Sequence, residues 1–168
     1  METCSHMFLE CPVVAPAVEW LRGLWASISG GPPPPLDARV LLLGMRSVWA
    51  PPRGRLSGLW HFLRLAYLKS VWVLREQRRM GGGHFTAQAV VAVTAATVEK
   101  AIRQDWVRVF VDVRALGGSK RGLSAGPQEL MDEEQFESLW CQRSVLARVQ
   151  GGSLVVHVPR VLPGATGA

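Results

Sequence analysis

One hundred and sixty-eight residues, 48% of them hydrophobic and seven of them tryptophan, suffice for one domain with a sizeable core and exclude a wholly disordered chain. Nineteen Lys and Arg against 13 Asp and Glu, a formal charge of +6, favour nucleic acid or another anionic partner, although an arginine excess also follows from GC-rich coding. Three cysteines, Cys4, Cys11 and Cys141, with no basic and apolar leader, argue against a disulfide framework and for an intracellular chain, in cytoplasm or nucleus, that is not secreted.

In chain order, metal-ligand residue types cluster first, in Glu2-Thr3-Cys4-Ser5-His6-Met7-Phe8-Leu9-Glu10-Cys11-Pro12. His6 and Cys11 flank an apolar Met7-Phe8-Leu9, and Pro12 ends the turn. A structural zinc takes four ligands, and no Cys-x-x-Cys pair precedes Glu2 in this sequence, so zinc is possible only with an incomplete ligand set. The alternative is a turn that packs Phe8 and Leu9, and no cofactor is expected in this chain alone.

From Val13 to Ser29, Val18, Leu21, Leu24, Trp25 and Ile28 recur at helical spacing, with Trp20 on the shoulder of the stripe. Gly30-Gly31 and Pro32 to Pro35 stop this helix; the proline run is a stiff connector, with an SH3-type ligand as the rarer use. Leu36 to Gly44 reads as a short helix with Asp37 near its start, although so short an apolar run would also suit a strand. After Pro51-Pro52, the longest predicted helix runs from Leu56 to Met80, with Leu56, Leu59, Trp60, Leu63, Tyr67, Val71 and Leu74 in one stripe. It ends in Arg75, Arg78 and Arg79, cations that suit the negative end of a helix dipole, before Gly81-Gly82-Gly83. Its charges, His61, Arg64 and Lys69, exclude a membrane span.

Thr86 is a predicted N-cap for a second long helix, rich in small residues and reaching about Arg114. Gly117 to Pro127, with Lys120 and Arg121, reads as a flexible loop. Asp132-Glu133-Glu134-Gln135 has the form of a capping box for a helix through about Val149, ended by Gly151-Gly152. Leu154 to Val158 alternates as a strand and Pro159 onward reads as a tail. The expected fold is therefore mainly α: 1–29 a truncated zinc-knuckle-like segment and first helix, 30–115 a helical core, 116–128 a loop, 129–158 a C-terminal helix and short strand or hairpin, and 159–168 a tail.

Catalytic constellations are not evident. Asp112 in Phe110-Val111-Asp112-Val113 has valine where a polymerase palm would carry its second aspartate. Cys141 has Trp140 rather than a base as neighbour, and His61, His84 and His157 lack the spacing of a metal helix. Neither glycine run has the pattern of a phosphate loop. Arg75, Arg78, Arg79, Lys120 and Arg121 are the candidate contacts to RNA or DNA phosphates.

Glu2-Thr3, His6, Phe8 and Cys11-Pro12, followed by a helix with Trp20, resemble the reverse-transcriptase zinc-binding domain that follows the polymerase in non-LTR retrotransposon polyproteins. In that family a Cys-x-x-Cys pair precedes Glu-Thr-x-x-His-x-Phe-x-x-Cys-Pro. Here the pair is missing, and the close match covers roughly residues 2–25. The resemblance implies an N-terminally truncated, non-catalytic piece of such a polyprotein. His6 and Cys11 would be zinc ligands, and Cys4, not a ligand in the family, a third only in a rebuilt site. Implied partners are RNA or DNA and other parts of the polyprotein, with no membrane and no small-molecule substrate. The alternatives are a helical protein-interaction module without a nucleic-acid role, or a degenerate reading frame.

Overall fold

The computed structural model describes residues 3–110 and 131–162. Its main elements are helices α1 (Ala15–Ser29), α2 (Arg55–Arg79), α3 (Ala87–Phe110) and α4 (Glu133–Trp140), then strands β1 (Ala147–Gln150) and β2 (Ser153–Val156). Short wide turns of helix at His6–Glu10 and Arg39–Leu43 precede α1 and α2. The mainly helical expectation with a small C-terminal hairpin describes the protein. Asp112, Lys120, Arg121 and the expected loop at 116–128 lie outside the described residues, as does the chain from 163 onward.

Local chemistry sets the helix ends. Pro16 sits in the first turn of α1, where its missing N–H costs nothing, and Gly30 at φ 72° closes the far end by donating to the Ala26 carbonyl at 2.8 Å. Gly82 N–H returns to Gln77 O at 2.9 Å beyond α2, and Thr86 Oγ1 accepts from Ala89 N at 3.1 Å to cap α3. Asp132 and Gln135 bond reciprocally, at 2.7 and 3.2 Å, to open α4 as the capping box required.

Helices α2 and α3 make the most extensive helix–helix contact, as the two arms of a helical hairpin joined through Gly81–Gly83, with α1 across both arms. Small side chains on α3, Val90, Val91, Ala95 and Val98, are fully buried in the core. Trp25 of α1, Trp49 of the loop before α2 and Trp60 of α2 meet edge to face with ring centroids 5.0 to 6.2 Å apart. This cluster ties three separated stretches of chain into one core. The proline run joins α1 to the Arg39–Leu43 turn and is part of the same packing: Pro34 is buried, its carbonyl accepts from Arg22 Nε at 2.7 Å, and Pro32 to Pro35 face Trp25 and Trp49 across a cavity of about 300 Å³.

The expected short helix at Leu36 to Gly44 is a single wide turn. Asp37 Oδ1 accepts from Val40 N at 2.8 Å, and the bond from the Ser47 hydroxyl, followed by this one, holds the Asp37 carboxyl below its ordinary pKa. At its C-terminal end Arg64 Nη1, on α2, donates to the carbonyls of Leu41 at 2.9 Å and Leu42 at 3.1 Å. A buried guanidinium thus satisfies two carbonyls that the short helix leaves without partners. Gly44 at φ 67° sits beside it in a left-handed conformation that favours glycine, and a Cβ there would lie 3.0 Å from Arg64 Nη2, a tight contact.

Two expectations need correction. The C-terminal helix does not run to Val149: α4 ends at Trp140, and Arg143 and Ser144, at φ 51° and 54°, turn the chain. Gly151-Gly152 does not end a helix but forms the loop of a hairpin, pairing Gln150 with Ser153 and Ala147 with Val156. Both glycines have positive φ, 58° and 74°, which is the conformation of a two-residue turn that matches strand twist. The second correction concerns the tail. Residues 159–162 dock instead: the Pro159 carbonyl accepts from Trp20 Nε1 at 3.2 Å, the Arg160 carbonyl from Gln88 Nε2 at 2.9 Å, and the Arg160 guanidinium meets Glu99 at 2.6 Å.

Candidate functional site: a basic cleft beside the N-terminal turn

The N-terminal segment that carries the zinc-knuckle resemblance is wound into helical turns. Thr3 starts them, its carbonyl accepting from Met7 N at 3.0 Å and its hydroxyl from His6 N at 3.1 Å, and Cys11 N closes the last on His6 O at 2.8 Å. Phe8, Leu9 and Cys11 pack against the core, while Cys4 is exposed. Among the described residues no three His, Cys, Asp or Glu side chains group as a metal site requires, so Cys4, His6 and Cys11 are not gathered into one. As placed, these side chains do not supply the four donors of a tetrahedral zinc.

A fully buried phenol anchors it. Tyr67 of α2 donates its hydroxyl to the Phe8 carbonyl at 2.7 Å. Burial, with the Cys11 thiol as a lesser contributor, raises the phenol well above its ordinary pKa of 10.0. The unfolded chain ionises first, so stability is complete below about pH 10 and falls as pH rises beyond it. Tyr67→Phe should cost about 1–2 kcal/mol at neutral pH, because the Phe8 carbonyl loses its donor, and should flatten the alkaline decline. Urea titrations at neutral pH and near pH 10.5 measure both; equal alkaline sensitivity in the two proteins would reject the assignment.

Where the anchored turn meets the end of α2, the fold opens a cleft of about 590 Å³. Arg75, Arg78 and Arg79 line it with one carboxylate, Glu76, among them. Its apolar wall is Met7, Val13 and Phe85, with Cys11 alongside. Arg75 holds its guanidinium over the Phe85 ring, 5.3 Å from the centroid, and Arg79 approaches Glu76 at 3.3 Å on an exposed surface where the pair is weak. Among the described residues the lining thus brings three arginines and one glutamate together.

The structure therefore joins two sets of residues that the sequence presents separately, the Cys11 turn and the α2 arginines. Lys120 and Arg121 are outside the described residues and cannot be placed with them. Sequence reasoning missed Met7, Val13 and Phe85 as cleft residues. A signal for Phe85 exists: the short glycine turn after α2 implies a helical hairpin, which returns the chain past the last turn of α2.

The other candidates stay apart. The Cys141 thiol has its pKa raised by burial and by the Glu137 carboxylate, the opposite of an activated nucleophile. Of the tryptophans, Trp20, Trp25, Trp60 and Trp140 are buried, Trp49 and Trp106 are partly so, and Trp72 is 55% exposed. No described helix is long and apolar enough to cross a membrane. No family model matches the chain, nor does any curated protein or solved structure.

Proposed function

We propose that the chain is a non-catalytic fragment of a non-LTR retrotransposon reverse-transcriptase polyprotein, similar to its zinc-binding region, that contacts RNA or DNA weakly through phosphates. The observation that carries the binding reading is the convergence of Arg75, Arg78 and Arg79 on one cleft against the N-terminal turn. Cations clustered on a concave surface concentrate phosphate, and guanidinium groups bind it through paired donors. The segment that bears the resemblance forms a wall of that cleft, so binding reads as a property of the region and not of metal coordination. The origin has its own test: genomic sequence in frame upstream of Met1 should encode a Cys-x-x-Cys pair preceded by polymerase motifs, and its lack would count against the retroelement reading.

A second reading, a helical protein-interaction module, is favoured by a different observation. Leu65 and Trp72 lie seven residues apart on one face of α2 and are 54% and 55% exposed. Salt separates the two. Binding of a single strand through three phosphates should weaken about twentyfold between 50 and 200 mM salt, a log–log slope near −2, whereas an apolar protein interface should hardly respond.

A further inference from the structure

The outward face of α2 carries a pattern that the core does not use. Leu65 and Trp72, both more than half exposed, are seven residues apart, and Lys69 and Glu76 each follow one of them by four. At about 100° per residue these four side chains lie within roughly 60° of one another around the helix, with the half-buried Leu68 at their edge. A single exposed apolar residue is ordinary. A heptad-spaced line of Leu65, Leu68 and Trp72 is the kind of seam on which two helices meet, and covering it removes apolar surface from water.

The charges on this face select the partner. Lys69 is exposed and has no ion pair among the described residues, and Glu76 holds Arg79 at 3.3 Å, a weak pair on an open surface. Opposite charges seven residues apart lie two turns from each other and do not meet within one helix. They meet twice when a second copy of α2 lies antiparallel across the first: Lys69 faces the partner's Glu76, and Glu76 faces the partner's Lys69. We propose that the protein pairs with a second copy of itself through this face, with a two-fold axis near Trp72 and reciprocal Lys69 and Glu76 contacts. The inference rests on the exposed face that favours the protein-interaction reading, gives that reading its partner, and does not depend on nucleic-acid binding.

Analytical ultracentrifugation of the full chain, treated with nuclease so that nucleic acid cannot bridge copies, tests it over a concentration series that reaches the high micromolar range. The mass should rise from one chain to two and stop there, because a two-fold contact closes on itself. Trp72→Glu should abolish the rise. Lys69→Glu and Glu76→Lys should each weaken association roughly tenfold or more, since two attractions become two repulsions. Mixed in equal amounts, these two variants should associate with each other about as tightly as the parent does with itself, because only the mixed pair restores opposite charges across the axis. The unfolding transition of each variant checks that the fold is retained. A chain that stays monomeric throughout would overturn self-pairing and leave the protein-interaction reading to its salt test. Association that survives Trp72→Glu would overturn this face as the contact, and weakened variants that do not recover on mixing would overturn the antiparallel pairing.

Discussion

Replacing Trp60 by alanine should destabilise the protein by about 3–5 kcal/mol, the range for truncating a buried tryptophan. Trp60 has no solvent exposure, and its ring lies 5.3 Å from Trp25 and 5.0 Å from Trp49. The substitution removes two edge-to-face ring pairs along with the buried area, and the neighbours come from α1 and from the loop before α2, which cannot both collapse inward without shifting the helices. The melting temperature should fall by roughly 6–20 °C for a chain of this size. Trp72→Ala, on the exposed face of the same helix, should change stability by no more than about 0.5 kcal/mol. The comparison controls for helix propensity, since both substitutions put alanine in α2. Thermal melts of the three proteins decide it. A single cooperative transition in the parent protein is expected from a continuous core, and a broad, non-cooperative melt would instead support the degenerate reading frame.

The largest expected effect on binding comes from Arg75, Arg78 and Arg79 changed together to glutamine. If these three neutralise phosphates, the log–log salt slope for a single strand should flatten by about 2, since each phosphate left without its arginine takes about 0.7 from it. Affinity at low salt should fall most, because release of counterions is the driving term there. Stability is a separate matter. Arg78 and Arg79 lie in the last turn of α2, where cations complement the helix dipole, so a decrease of about 1 kcal/mol is expected from the ends alone. Denaturant titration of the triple variant separates the two effects. An unchanged salt slope in a folded triple variant would remove the cleft as the binding site.

Helices and their punctuation were legible in the sequence. The stripe of Val18, Leu21, Trp25 and Ile28 and that of Leu59, Trp60, Leu63, Tyr67 and Val71 predict α1 and α2, and these residues are buried. Thr86, Asp132 with Gln135, Gly30 and Gly81 to Gly83 mark helix ends because capping and left-handed turns depend on a few neighbouring residues. The end of α4 was not legible. Phe136, Leu139, Trp140 and Leu146 continue a helical period, and periodicity cannot register that Arg143 and Ser144 turn left-handed after Trp140. Gly151-Gly152 between Ala147-Arg148-Val149 and Leu154-Val155-Val156 was a hairpin signal that the helical period obscured.

The N-terminal turn divides the same way. By itself the sequence determined its composition: Cys4, His6 and Cys11 within a run of twelve residues. It also determined that Arg75, Arg78 and Arg79 share the end of one helix. Only the tertiary structure decided that the two belong together, through the Tyr67 hydroxyl on the Phe8 carbonyl and the return of the chain at Phe85. Helix stripes and caps arise from residues a few positions apart, which a sequence displays directly. The cleft depends on packing between residues dozens of positions apart, and that exists only once the core around Trp60 has formed.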